Sequence, residues 1–249
     1  MTGPDHAAAE AHAPADAPTH ANAWRDARLV VALETSTRPA SIAARGPRGE
    51  RAAETLEEDR RHASDLLGSL GALVEQVGAT PELLDLVVAG VGPGSYTGLR
   101  VGAATALGLM RGAGAEVLGL PSFDAVALDG LADGERGAVL RNAFGGHLYV
   151  AAYERRGGDV VATSAPACVS PEEAATILTD VPVLMPDEAA LRAIGEAAVD
   201  GREVRSDARA RATDLLDLAL LRLASGAELG PATLRPLYLR PFDAKVRKR

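Results

Sequence analysis

LVVALETSTRPASIAARGPRGERAAETL, residues 29–56, is three short strand-like runs on tight connections. Leu29–Leu33 is uninterrupted and apolar, the signature of a strand covered on both faces, and Ser41–Ala44 and Arg51–Leu56 follow it. Arg38-Pro39 and Gly46-Pro47-Arg48-Gly49 separate the runs as turns. Neither connection has room for a crossover helix, so the three strands form an antiparallel meander rather than the start of a parallel barrel. Beyond it, Leu66, Leu67, Leu70, Leu73, Val74 and Val77 recur on one helical stripe. They predict a helix of about 16 residues beginning near Arg61 or His62. Leu84–Ala89 reads as the next buried strand, and a second helix runs from Tyr96 to about Met110. The order is β-β-β-α-β-α.

The second half opens with strands again. A strand at Val117–Leu120 and a helix from Pro121-Ser122 to about Leu131 precede a strand pair at Ala138–Arg141 and Leu148–Tyr153. Ser170-Pro171-Glu172-Glu173 is an N-cap, a first-position proline and first-turn acids, and it starts a helix to about Leu178. Short strands near Val183 and Glu203 alternate with helices at Asp187–Ala198 and Thr213–Ala224. The expected organisation is a disordered tail over residues 1–27, a first lobe over 28–117 and a second over 118–249 that ends in a basic tail.

Composition narrows the function classes. A chain of 249 residues with 47% hydrophobic residues has ample core for a folded protein. Its net charge of -8 disfavours tight nucleic-acid binding by this chain alone, and Lys245, Arg247, Lys248 and Arg249 are its one local basic cluster. The single cysteine, Cys168, makes neither an intramolecular disulfide nor a thiolate metal cage, in keeping with the cytoplasm. No apolar run reaches the ~18 residues of a membrane span. Three of the five histidines, His6, His12 and His20, lie in the tail, where spaced histidines are incidental.

The most informative segment is Gly92-Pro93-Gly94-Ser95-Tyr96-Thr97-Gly98-Leu99-Arg100, between a buried strand and a helix. Free N–H groups and the helix dipole make such a turn a seat for anions, with Gly92, Gly94, Ser95 and Thr97 as the candidate nucleotide or anion loop. The segment lacks the Lys-Ser/Thr ending of a P-loop. By itself it reads more readily as a strand-to-helix turn capped by Ser95. On the helix that follows, Gly98, Gly102 and Ala106 lie four apart and leave a groove that another backbone can approach. Leu99, Ala103, Leu107 and Met110 line the adjacent strip. With Leu66, Leu70 and Leu73, these make two apolar helix faces close in sequence. They cover either their own sheet or a partner.

Several of these stretches together resemble the TsaB (YeaZ) family of bacterial tRNA threonylcarbamoyladenosine biosynthesis proteins. They are Val30–Thr37 with Ser41-Ile42-Ala43, then Arg61–Leu67, then Gly92–Leu109, and Pro236-Leu237-Tyr238-Leu239-Arg240-Pro241. The resemblance implies an α/β chain with the actin-like ATPase (ASKHA) fold, two ribonuclease-H-like lobes of mixed sheets with flanking helices. It implies a non-catalytic scaffold that binds and activates TsaD, the subunit that transfers threonylcarbamoyl to the adenosine beside the anticodon of tRNAs reading codons that begin with A. TsaE, a small ATPase, joins that complex, tRNA is reached through it, and a homodimer through the same helices is the alternative assembly. His62, Leu66, Leu70, Leu73, Gly98, Gly102, Ala106 and Met110 are the interface the resemblance points to.

The same resemblance argues against catalysis. The catalytic relative holds a metal through two histidines spaced i and i+4, and here His62 is followed at that spacing by Leu66. The only histidine remaining in the folded part is His147, so the sequence predicts no metal, no cofactor and no catalytic residue, and a metallopeptidase reading fails. Two departures stand out: Glu34 replaces the Asp that commonly ends the family's first strand, and the family's Asp-Ala-Arg-x-Gly-Glu-Val-Tyr string is here Asn142–Tyr149, with its charges lost. The alternative function is an ATP-binding phosphotransferase or ATPase using the Gly92–Ser95 loop and Glu34.

Overall fold

The computed structural model describes residues 26–56 and 63–240. The N-terminal tail up to Arg25, His62 and the basic cluster after Arg240 lie outside the described residues. The meander is present as β1 (Leu29–Glu34), β2 (Ser41–Arg45) and β3 (Arg51–Thr55), each antiparallel to the one before it. After α1 (Ala63–Gln76), β4 (Leu84–Gly90) pairs parallel to β1. After α2 (Tyr96–Ala113), β5 (Glu116–Leu120) pairs parallel to β4. The first sheet therefore runs β3-β2-β1-β4-β5.

The second sheet repeats the plan. Beyond α3 (Ser122–Gly130) come β6 (Arg136–Asn142), β7 (Leu148–Arg156), β8 (Asp159–Ala162) and β9 (Ala167–Val169). Then α4 (Pro171–Ile177), β10 (Val183–Pro186), α5 (Glu188–Ile194), α6 (Glu196–Val199), β11 (Glu203–Val204) and α7 (Ala212–Ala224) complete the described strands and α-helices. The strand order is β8-β7-β6-β10-β11, with β6, β7 and β8 antiparallel and β6, β10 and β11 parallel, and β9 adds to β7. Both sheets thus carry the same order and the same directions, a meander followed by two parallel strands. This is the duplicated ribonuclease-H-like plan of the actin-like fold.

Burial divides into three cores that stack the molecule in five layers. Leu29, Val31 and Leu33 point toward α1 and α2, whereas Val30 and Ala32 point toward α7 and α3. Covering on both faces explains why β1 reads as a continuous apolar run. The middle core joins the first sheet, α7, α3 and one face of the second sheet. The opposite face of the second sheet, through Leu140, Leu148 and Val150, packs on α4 and α5.

Several local devices follow from the sequence. Ser170 and Glu173 form a full capping box on α4, and Asp187 caps α5 by accepting from Ala190 N at 2.7 Å. The single helix expected over Asp187–Ala198 is two, because Gly195 at φ +75° breaks it. The expected lobe boundary after Val117 falls inside β5, which belongs to the first sheet. The C-terminal α7 returns to the first sheet, where Ala212 N donates to Ser41 Oγ at 2.9 Å. Arg222 on α7 donates to Asp124 at 2.7 Å and Asp159 at 3.0 Å, and Tyr153 also donates to Asp124 at 3.0 Å. That ionic cluster ties α7 to α3 and the second sheet.

Candidate functional site

The glycines of the Gly92–Gly102 segment answer to contacts inside the chain. A Cβ at Gly94 would lie 2.4 Å from Ser36 O, at Gly98 1.9 Å from Thr35 O, and at Gly102 2.5 Å from Thr35 Oγ1. No side chain fits at these distances, so the β1–β2 loop lies directly along the start of α2. Thr35 Oγ1 donates to Gly98 O at 2.8 Å, and Ser95 N donates to Ser36 O at 2.7 Å. Ser95 caps α2 by accepting from Gly98 N at 3.3 Å. Gly92, at φ +95°, donates its N–H to Ser122 Oγ at 3.1 Å and accepts from Ser122 N at 2.8 Å. Thr97 is exposed. The structure thus brings Gly92, Gly94, Ser95 and Thr97 together in one turn, with the N–H groups of Gly92, Ser95 and Gly98 already bonded to protein oxygens.

Glu34 ends β1 beneath this turn and is fully buried. Its Oε1 accepts from Ser36 N at 2.6 Å, while its Oε2 and the neighbouring Ser36 Oγ are sealed off without a hydrogen-bond partner. Burial pushes its carboxyl above the ordinary range, against the pull of Ser36 and Ser122. A nucleotide-bound divalent cation needs an ionised, accessible oxygen. The residues present do not fit one: Glu34 is sealed from solvent, and the glycine turn is closed by Thr35 and Ser36. Among the described residues, no group of three or more His, Cys, Asp and Glu is placed to hold a metal ion.

Several residues expected on the partner face are buried within the chain itself. Leu66, Leu70 and Leu73 are each 4% exposed and Ala106 is 0% exposed, all within the core under the first sheet. Gly98 and Gly102 meet Thr35, and Met110 packs half-buried against the same core. The glycine notch is filled by the chain's own loop and the leucine stripe by its own sheet, so neither is open to a second polypeptide. His62 lies outside the described residues.

The opposite faces of the same helices are open. On α1, Leu67 is 48% exposed beside exposed Gly68, Gly71 and Ala72. On α2, Tyr96, Thr97, Arg100, Val101, Ala104 and Thr105 line a depression of about 490 Å³. Farther along α2, exposed Gly108 and half-buried Leu107 continue the surface. Leu67 belonged to the apolar stripe by periodicity, yet it is the member that escapes the core because it sits at the stripe's edge.

A strap missed in the sequence bridges the lobes. Leu237 N donates to Val91 O at 2.8 Å, and Thr233 Oγ1 accepts from Gly119 N at 2.8 Å. The Tyr238 ring lies 5.2 Å from the Tyr96 ring, Arg100 sits 4.0 Å over Tyr96, and Arg100 Nε donates to Tyr238 Oη at 3.3 Å. Arg240 Nη1 donates to Ala143 O at 2.9 Å and to Phe144 O at 2.8 Å on the β6–β7 hairpin. The described part of the motif, Pro236–Arg240, therefore crosses from the glycine turn to the second lobe. Its Tyr-Leu-Arg spacing was the available signal, but the two anchors it reaches are distant in sequence.

With this geometry in place, comparisons with known proteins can be set beside it. The family TsaD, tRNA N6-adenosine threonylcarbamoyltransferase, matches residues 55–198, more than half of the chain. The tRNA threonylcarbamoyladenosine biosynthesis protein TsaB of Haemophilus influenzae is 35% identical over 98 residues, 39% of this chain. That match spans 41% of the relative's length. YeaZ from Pseudomonas aeruginosa superposes with a TM-score of 0.70 at 23% identity, covering 85% of this chain and all of that one. A second structure, described as similar to peptidase YeaZ from Pseudomonas aeruginosa, gives 0.72 at 23% identity over 86% of this chain and all of that one. These two share the fold. The chain belongs to the TsaD (tRNA N6-adenosine threonylcarbamoyltransferase) family.

Proposed function

We propose that the chain is a non-catalytic scaffold subunit in tRNA threonylcarbamoyladenosine formation. It binds TsaD through the outward faces of α1 and α2 and holds that enzyme in its competent state. TsaD then transfers threonylcarbamoyl to the adenosine beside the anticodon of tRNAs reading codons that begin with A, and TsaE joins the assembly in the cytoplasm. The observation that carries this reading is the pairing of a closed inner site with an open outer surface. Glu34 and the glycine turn are closed by the chain's own backbone, while Leu67, Gly68, Gly71, Ala104 and Gly108 leave a low-relief helical surface uncovered. Small residues on two helices that cover the same face of the first sheet let partner helices approach closely. The phosphotransferase alternative requires an accessible ionised acid at β1, and Glu34 is fully buried, where desolvation works against its charged form.

Reconstitution of tRNA modification from purified components tests the proposal. Omitting this chain abolishes product, and the chain alone with ATP and Mg²⁺ yields neither product nor turnover. Full modification without it, or ATP turnover by it alone, would refute the scaffold role.

A further inference from the structure

The strap that crosses the lobes is anchored unequally. Its hold on the first lobe is made of backbone and core. Gly230 N donates to Val117 O at 2.8 Å, Thr233 Oγ1 accepts from Gly119 N at 2.8 Å, and Leu237 N donates to Val91 O at 2.8 Å. Leu234 is 3% exposed within the core under the first sheet. A Cβ at Gly119 would lie 2.1 Å from Thr233 O, so the strap is seated against β5 with no room for a side chain between them.

Its hold on the second lobe is one side chain. Arg240 Nη1 donates to Ala143 O at 2.9 Å and to Phe144 O at 2.8 Å. The hairpin is shaped to receive it: Phe144, Gly145 and Gly146 follow one another at φ +60°, +61° and +77°, and the turn presents two successive carbonyls to one guanidinium. A Cβ at Gly145 would come to 3.0 Å from Arg240 Nη2, and the bare glycine lets the group settle there. Both acceptors are neutral and Arg240 is half-buried, so water competes for this contact as it does not for the core-seated anchors of the first lobe. When it breaks, the strap stays on the first lobe. The turn is left with its own bonds, Ala143 N to His147 O at 3.0 Å, Phe144 N to Asn142 Oδ1 at 2.9 Å and His147 N to Phe144 O at 3.3 Å.

The strap also touches the outward face of α2 on its way. Tyr238, two residues before Arg240, lies 5.2 Å from the Tyr96 ring and accepts from Arg100 Nε at 3.3 Å. Tyr96 and Arg100 line the depression of about 490 Å³ on that face. A partner that fills the depression fixes the pair that holds Tyr238 and shields it from water, and a bias of that kind acts in both directions.

We propose that Arg240 is a releasable latch between the lobes, and that docking on the α2 depression closes it by way of Tyr96, Arg100 and Tyr238. The latch stands on contacts within this chain, while its coupling to docking rests on the reading of that face as the TsaD surface.

Hydrogen–deuterium exchange of the full chain, followed by mass spectrometry on peptides covering Asn142–Leu148 and β1, is the test. In the chain alone, Arg240→Ala speeds exchange of the hairpin about ten-fold and leaves β1 as in the wild type. Arg240→Lys, a point donor in place of a fork, gives a smaller rise. Tyr238→Ala speeds the hairpin about three-fold. Wild-type exchange in Arg240→Ala overturns the latch, and so does equal acceleration in β1, which would be a general loosening. An unaffected hairpin in Tyr238→Ala overturns the route to α2. Saturating cognate TsaD slows the hairpin in the wild type and not in Arg240→Ala. Equal slowing in both means that TsaD covers the hairpin itself, and no slowing with the assembly intact by size exclusion leaves the scaffold standing; either result overturns the coupling. If the wild-type chain does not bind TsaD, the docking reading falls, and the comparison in the chain alone still decides the latch.

Discussion

The two lobes share strand order and strand direction but are held by different chemistry. In the first, the loop between the first two strands is pressed against α2 through Gly94, Gly98 and Gly102, and long helices cover a dry sheet. In the second, the corresponding β6–β7 loop stands open at Phe144 and is pinned from outside by Arg240. Between them, α7 is fixed by Arg222 to Asp124 and Asp159. A duplicated topology therefore does not duplicate a site. The first-lobe loop is sealed by backbone contact, and the second-lobe loop is held through a side chain of the strap.

The sharpest break of this contrast is Gly98→Val. Its Cβ would meet the Thr35 carbonyl at 1.9 Å, and backbone there cannot step aside as a side chain would. A loss of about 4 kcal/mol is expected in chemical denaturation. A loss under ~1 kcal/mol would show that the β1–β2 loop is not pressed on α2. Next is Arg222→Ala, which strands Asp124 at the junction of α7 with the second lobe and costs about 3 kcal/mol by the same assay. A change near zero would mean that apolar packing alone holds α7 there.

Asp214 on α7 supplies a pH-dependent contrast. Burial, then the charge of Asp129, pushes its carboxyl up to about 7, and Oδ2 has no hydrogen-bond partner. Because the folded state holds this proton more tightly than the unfolded state, the contribution to stability is full at low pH. It declines as pH rises from about 4 to about 7. Asp214→Asn flattens that decline and stabilises the protein at pH 8, by about 1–2 kcal/mol once solvent screening is allowed for. An unaltered slope of stability against pH in the variant would contradict the assignment. The smallest expected effect is on the outward face, where a Cβ at Gly68 meets open space. Gly68→Ala raises stability by about 0.5–1 kcal/mol through helix propensity, and destabilisation by thermal melting would mean that the face is not open.

Much of this contrast could be read from the sequence, but not its sense. The meander, α1, β4 and α2 follow from period and turn residues, because each is decided by neighbours within a few positions. The strands β8 and β9 were missed, since they are short and are set by pairing with β7 rather than by their own pattern. The periodicity of Leu66, Leu70 and Leu73 located an apolar face correctly and left open what covers it. Burial under the first sheet decides that question. The Gly98–Gly102–Ala106 spacing likewise announced a close backbone approach without naming Thr35, which lies 63 residues before Gly98. Phe144 and Arg240 gain meaning only when the strap brings residues 96 positions apart into contact.

The central claim is that the surface offered to TsaD is the outward face of α1 and α2, the inward face being the chain's own core. Co-purification of tagged TsaD with the chain carrying Leu67→Arg and Ala104→Arg, set beside the thermal midpoint of that variant alone, tests it most directly. The account predicts lost association with an unchanged midpoint. Retained association at wild-type level would contradict it.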